Sequence, residues 1–304
     1  MEDVTSKTWL EVALNGPWTQ EKQAGIPIKV ADIVQQGIDC VNAGAAIVHV
    51  HAYDEKTGRQ KDDVDVYKKI IEGIRTKVDA VVYPTVPAPG MNPIDEGSSG
   101  EDRYAHIEAL AKDGFLEWTV LDPGSCNFSH YDQLKEDKVG YVYQNSEADA
   151  RHGMRIAHQY GLHPSYAIYE PGFARLGANL HWRESTPDPI YRLMFSSGFT
   201  FGFPPEDYAL TAYLNLLDQV APGCNWMISG LDVNVLPLIP RVIMESGHVR
   251  VGLEDAPFGC EKTNIELVED AVNSIETCGG ELARAPEVRL AASSDKLEAM
   301  AAGM

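Results

Sequence analysis

Positive charge is scarce in this chain. Against 45 Asp and Glu stand 25 Lys and Arg, a net charge of −20 over 304 residues. So acidic a protein repels nucleic acid and anionic membrane surfaces. Any anionic substrate must be drawn in by a local positive centre, such as a metal ion or an arginine. Long apolar runs are missing too: no stretch reaches the ~18 residues of a membrane span. The opening Met-Glu-Asp-Val-Thr-Ser-Lys-Thr lacks a signal-peptide core, so the expected location is the cytoplasm. The five cysteines (Cys40, Cys126, Cys224, Cys260 and Cys278) are scattered and odd in number. They show no CxxC pairing, which argues against a disulfide framework and against a zinc ribbon. No GxGxxG follows the first apolar run, which counts against dinucleotide binding. Internal repeats and low-complexity segments are absent as well.

What is there is alternation. Short apolar runs at 9–14, 46–50, 80–83, 118–121, 166–169, 193–195, 225–228 and 249–251 read as strands. Most are separated by stretches with apolar residues at helical spacing, such as Tyr67-Ile70-Ile71-Ile74. Eight such units predict an α/β fold, a (β/α)8 TIM barrel, forming one domain over 1–304 with the barrel at about 9–291 and a tail at 292–304. The fifth unit is the weakest, because 173–185 has poor helical periodicity, and a doubly wound open sheet is the alternative. Gly44, Gly161 and Gly279 suit helix C-terminal caps. The longest irregular stretch, 86–100, follows the third strand and would lie on the active face as a lid or binding loop.

Two histidines one residue apart, His49 and His51, end the second apolar run. Alternate residues of a strand share a face, so both imidazoles aim at one point. The eighth run continues as Gly-His-Val-Arg-Val-Gly-Leu-Glu-Asp, ending at Glu254 and Asp255. In a barrel, strands two and eight both flank strand one, and the C-terminal strand ends line the active site. Two histidines and Glu254 fit a zinc-type site with one position left open. Such a site polarises a carbonyl and stabilises an enolate. The competing reading is a pair of hydrogen-bonded histidines at a strand end; an unpartnered imidazole beside so apolar a run is costly, which favours the metal.

Arg250 shares parity with Gly252 and Glu254 and should face the barrel interior. It reads either as a structural ion pair with Glu254 or Asp255, or as an anchor holding Asp255 ionised and oriented as a base. Glu11, Ala13 and Asn15 share one face of strand one, and an inward Glu11 would partner Arg250. Thr85 ends strand three, Asp122, Ser125 and Asn127 follow strand four, and Glu170 ends strand five. Glu11, Asn15, Thr85, Ser125 and Glu170 are candidate substrate-binding residues; each could equally cap a helix or stabilise a turn.

The Gly-Ala-Ala-Ile-Val-His-Val-His segment resembles the strand-two signature of the β-keto acid cleavage enzymes, and Gly-His-Val-Arg-Val-Gly-Leu-Glu-Asp resembles their strand-eight signature more closely still. Leu-Asp-Pro-Gly-Ser-Cys-Asn-Phe and the 226–238 region also fit, so the likeness spans roughly 9–291. The resemblance implies a homotetrameric TIM barrel holding a divalent metal, generally zinc, on His49, His51 and Glu254. It implies that Asp255, oriented by Arg250, takes a proton from C2 of a β-keto acid. Condensation with acetyl-CoA and a retro-Claisen step would then release acetoacetate and a new acyl-CoA.

The chain also departs from that family. Tyr53 stands where an arginine is usual, Trp18 where better-known members carry a glutamate, and Pro164 to Ala167 reads Pro-Ser-Tyr-Ala in place of Pro-Glu-x-Glu. Losing those carboxylates argues against a cationic amino-bearing substrate, and Trp18, Tyr53 and Tyr166 suggest a more apolar or aromatic pocket. The rival readings are a metal-dependent hydrolase, aldolase or lyase without CoA, and a non-catalytic ligand-binding barrel. Amidohydrolases place their His-x-His on strand one, which tells against the first; intact ligands and base tell against the last.

Overall fold

The structure is a computed structural model, described here for residues 7–88 and 99–293. Eight parallel strands form one sheet: β1 (Leu10–Ala13), β2 (Ile47–Val50), β3 (Val81–Pro84), β4 (Trp118–Leu121), β5 (His163–Ile168), β6 (Ile190–Phe195), β7 (Asn225–Gly230) and β8 (His248–Val251). Their order is β3-β2-β1-β8-β7-β6-β5-β4. The edge strands β3 and β4 turn toward each other, with the Tyr83 and Trp118 rings 6.0 Å apart, so the sheet curls into a nearly closed TIM barrel. Helices follow each strand: α1 (Val30–Ala43), α2 (Val64–Arg75), α3 (Gly100–Lys112), α4 (Glu147–Tyr160), α5 (Pro171–Glu184), α6 (Asp207–Val220), α7 (Ile239–Met244) and α8 (Asn264–Thr277). A further helix, Ala285–Ala292, ends the described barrel; most of the expected tail, from 294, lies outside the described residues. The lid expected at 86–100 likewise falls largely outside them.

The fifth unit corrects one expectation. Pro171–Glu184 is a regular helix, with Pro171 in its first turn, where the missing N–H has no intrahelical partner to lose. Its buried face sets the small residues Ala174, Gly177 and Ala178 between Phe173 and Leu180, which is why apolar periodicity looked poor. Strands β5 and β6 also begin three residues earlier than their apolar runs suggest. Gly161 closes α4 in the left-handed conformation, as a C-terminal cap should.

The barrel interior is stacked in layers. At the bottom, the Trp9 ring lies 5.9 Å from Trp118 and stacks on His248 at 4.1 Å. The middle layer is polar: Glu11, Tyr83, Ser165, Arg192 and Arg250, all buried. The register pairs Glu11 with Arg250 across β1 and β8, and Ala13 with His49 across β1 and β2. Strand one therefore sets the relative height of the two halves of the site above it. Among the described residues no helix is long and apolar enough to cross a membrane.

Candidate metal centre and active site

Above the polar layer, three side chains from β2 and the end of β8 converge. His49 Nε2 and His51 Nε2 each lie 3.5 Å from Glu254 Oε2, and one ligand atom from each of the three falls within 4.8 Å of the others. The two rings meet almost at right angles. All three residues are buried.

Backbone geometry aims Glu254. Gly252 adopts φ +137°, and a Cβ there would lie 2.1 Å from the Ala13 carbonyl oxygen, so only glycine lets the chain fold back over β1. The Glu254 amide then donates to Ala13 O at 3.2 Å. Buried Asn264 holds the same turn, accepting from the Leu253 amide at 2.9 Å and donating to Leu14 O at 2.8 Å. Trp18 donates its indole N–H to Glu254 O at 2.8 Å.

The donors are in the state a cation requires. Burial holds the His49 imidazole well below its usual range, despite the attraction of Glu254, so it is neutral at pH 7. Burial opposes the Glu254 charge, but the Arg250 guanidinium 2.9 Å away leads the opposing pull, and the carboxyl is held well below the carboxylate range. His51 Nδ1 faces Gln60 Oε1 at 2.9 Å, which puts the ring proton on Nδ1 and leaves Nε2 as a lone-pair donor. His51 Nε2 and Glu254 Oε2 are buried with no hydrogen-bond donor of their own. Buried polar atoms left unpaired are costly, and a divalent ion would satisfy these together. The residues fit a His-His-carboxylate metal site with an open face. Gln60 is the outer support of this site, and Gln60→Ala should weaken metal affinity ~10–100-fold in competition against a chelator. An unchanged affinity would remove Gln60 from the account.

Arg250 occupies the centre of the charge network. Its Nη2 lies 2.9 Å from Glu254 Oε1 and 2.7 Å from Asp255 Oδ1, and its Nη1 lies 3.3 Å from Glu11 Oε1. Structural pairing and anchoring of Asp255 thus coexist. Burial pushes the Asp255 carboxyl up to about 6 against the pull of Arg250, rather than down as an arginine neighbour alone would, and it stays ionised at pH 7. Its oxygens accept from Arg250 and the Gly230 amide, and Asp255 is not among the residues that line the pocket over the triad.

The pocket above the triad is walled by Trp18, Phe128, Tyr141, Tyr143 and Tyr169. Phe128, Tyr141 and Tyr143 come from a hairpin after β4, Cys126–Phe128 paired with Tyr141–Tyr143. Of the candidate substrate-binding residues, Thr85 lines this pocket. Glu11 lies a layer below, accepting from Tyr83 Oη at 2.7 Å. Asn15 clamps the His51 backbone, accepting from its N–H at 2.9 Å and donating to its carbonyl at 3.0 Å. Ser125 exchanges hydrogen bonds with the Asn145 backbone. Glu170 accepts from the Gly202 amide at 3.2 Å. Trp18 is in the wall as expected, but Tyr166 is not: the strand alternation turns Ser165 and Ala167 inward, and Tyr166 points outward to donate to Gly177 O. Tyr53 is also outside the wall, its hydroxyl donating to the Gly16 and Trp18 carbonyls.

Two polar wall residues carried no motif. Gln60 sits on a short antiparallel pair, Tyr53–Asp54 with Arg59–Gln60, which the intervening Glu-Lys-Thr-Gly turn signals. Arg192 is an isolated charge inside Ile-Tyr-Arg-Leu-Met-Phe, a pattern that itself marks a buried cation.

A sequence profile of the beta-keto acid cleavage enzymes matches residues 7–292. The chain belongs to that family. Within it, the chain is similar to the 3-dehydrocarnitine:acetyl-CoA trimethylamine transferase of Rhizobium meliloti (strain 1021), at 27% identity over 89% of this chain and 91% of the relative. It is also similar to a 3-keto-5-aminohexanoate cleavage enzyme of Fusobacterium nucleatum, at 25% identity over 89% of this chain and 92% of the relative. Among solved structures, apo ObcA superposes with a TM-score of 0.69 at 16% identity, over 87% of this chain and 64% of that one, a likeness of fold.

Proposed function

We propose that this enzyme condenses a β-keto acid with acetyl-CoA, releasing acetoacetate and a new acyl-CoA. The observation that carries the reading is the convergence of His49, His51 and Glu254 at the mouth of a barrel whose sequence belongs to this family. A divalent cation, which we take to be zinc, would be held there and would polarise the ketone of the substrate. The rest falls to the chain. The aromatic wall excludes water from the reacting carbons and favours an apolar or aromatic side chain on the substrate. We assign the C2 proton to Asp255, which neighbours the ligand Glu254 and is oriented by Arg250. A value near 6 leaves it ionised at pH 7 yet more basic than an ordinary carboxylate. We take the protein to act in the cytoplasm, where acetyl-CoA is available, and as a homotetramer, as the family resemblance implies.

The test is turnover of β-keto acids with varied side chains, with and without acetyl-CoA, following acetoacetate and acyl-CoA by mass. Turnover without CoA would make it a metal-dependent hydrolase or lyase instead. Strong preference for amino-bearing over apolar substrates would sink the assignment of the aromatic wall. For the base, Asp255→Asn should lower kcat ~10²–10⁴-fold. The ionised form is the active one, so wild-type kcat/KM should rise with pH as Asp255 loses its proton and level off above. Asp122 lines the opposite wall; a larger loss in Asp122→Asn than in Asp255→Asn would move the base there.

A further inference from the structure

Arg192 is the only lysine or arginine among the described residues lining the pocket. It enters from β6, in the polar layer that forms the pocket floor, and is 3% exposed. Its surroundings differ from those of the other arginines buried in this half of the barrel. Arg250 is met by Glu11, Glu254 and Asp255. Arg103 is met by Asp149, Asn145 and the Pro87 carbonyl. Arg192 makes one hydrogen bond, from Nη2 to the Ser165 carbonyl at 3.2 Å. Its Nε is buried with no acceptor, and among the described residues no carboxylate pairs with it. Asp122, a pocket carboxyl whose charge acts on Arg192, accepts from Tyr143 Oη and the Ala167 amide instead.

A buried guanidinium without an anion is expensive, and such groups are found paired. Nη1 of Arg192 makes no hydrogen bond among the described residues and the side chain lines the pocket, so the Nη1–Nη2 end of the guanidinium can meet a carboxylate. In a chain of net charge −20, it is the built-in positive centre that an anionic substrate requires. We propose that Arg192 anchors the carboxylate of the β-keto acid on the pocket floor, setting which way the keto group faces the His49–His51–Glu254 wall. The proposal rests on the substrate being a β-keto acid, but not on the acyl transfer to CoA.

The experiment is calorimetric binding of acetoacetate and of its uncharged methyl ester to the purified full chain, without acetyl-CoA, so that turnover plays no part. Wild type should bind the acid at least tenfold more tightly than the ester. Arg192→Met should lose that preference while binding the ester as before. Arg192→Lys, which keeps the charge without the fork, should retain only part of it, and serves if the methionine variant does not fold. Equal binding of acid and ester by wild type, or a full preference kept by either variant, overturns the anchor. A residue that only balanced Glu11 and Asp122 would lower the melting temperature on replacement and leave the acid-to-ester ratio unmoved. Acid preference that vanishes with Arg192, in a protein showing no acetyl-CoA-dependent turnover, would keep the anchor and reject the reaction.

Discussion

His49→Ala protein, purified beside wild type, should contain no bound metal where wild type carries about one ion per chain. Its turnover should fall ~10³-fold or more. The estimate follows from the share of the barrier that a Lewis acid removes, several kcal/mol, at one factor of ten per ~1.4 kcal/mol. The fold should survive, because His49 faces the pocket and is not wedged among the apolar residues behind β2. Its Nδ1 has no hydrogen-bond partner to lose. His51→Ala should behave in the same way, with the added release of Gln60. Elemental analysis and a thermal melt on one preparation separate the outcomes. Full metal content in His49→Ala would dismantle the site.

Arg250→Met should be the most destabilising single change in the barrel. It leaves Glu11, Glu254 and Asp255 as buried carboxylates without their common counter-charge. Breaking one partner out of a buried ion network costs ~3–5 kcal/mol. For a domain of this size that corresponds to a fall in melting temperature on the order of 10 °C. Raising the pH should worsen the defect, since the stranded groups are more often ionised at higher pH, whereas acid should partly relieve it. A melting temperature within a degree or two of wild type would show that the network contributes little to stability.

The barrel was legible in the sequence because its strands are buried on both faces and read as apolar runs. The same logic explains where the reading fell short. Strand β6 begins at Ile190, but Arg192 interrupts the run, so its first half looked like loop. The charge that hid the strand is the one that reaches the pocket floor. His163-Pro164-Ser165 obscured the start of β5 in the same way. Helix α5 was obscured by the small Ala174, Gly177 and Ala178 in the middle of its buried face rather than by polarity.

The convergence of His49, His51 and Glu254 was legible because two of them sit one residue apart and the third follows a glycine-bearing turn on the other neighbour of β1. The aromatic wall was less so. Phe128, Tyr141 and Tyr143 come together only through a hairpin whose strands are three residues each and half exposed, too short to leave a periodic signal. Tyr166 misled because a strand residue next to the pocket in sequence can point to either face, and the parity is fixed by Ser165 and Ala167 pointing inward.

In the proposed reaction acetyl-CoA supplies the acetyl end of acetoacetate, and the two carboxyl-end carbons come from the β-keto acid. The direct measurement uses acetyl-CoA labelled with carbon-13 in both acetyl carbons, an unlabelled β-keto acid, and product analysis by NMR. Label is expected in the third and fourth carbons of acetoacetate alone, with an unlabelled new acyl-CoA and no reaction in His49→Ala. Unlabelled cleavage products, with the label still on acetyl-CoA, would contradict the proposed reaction.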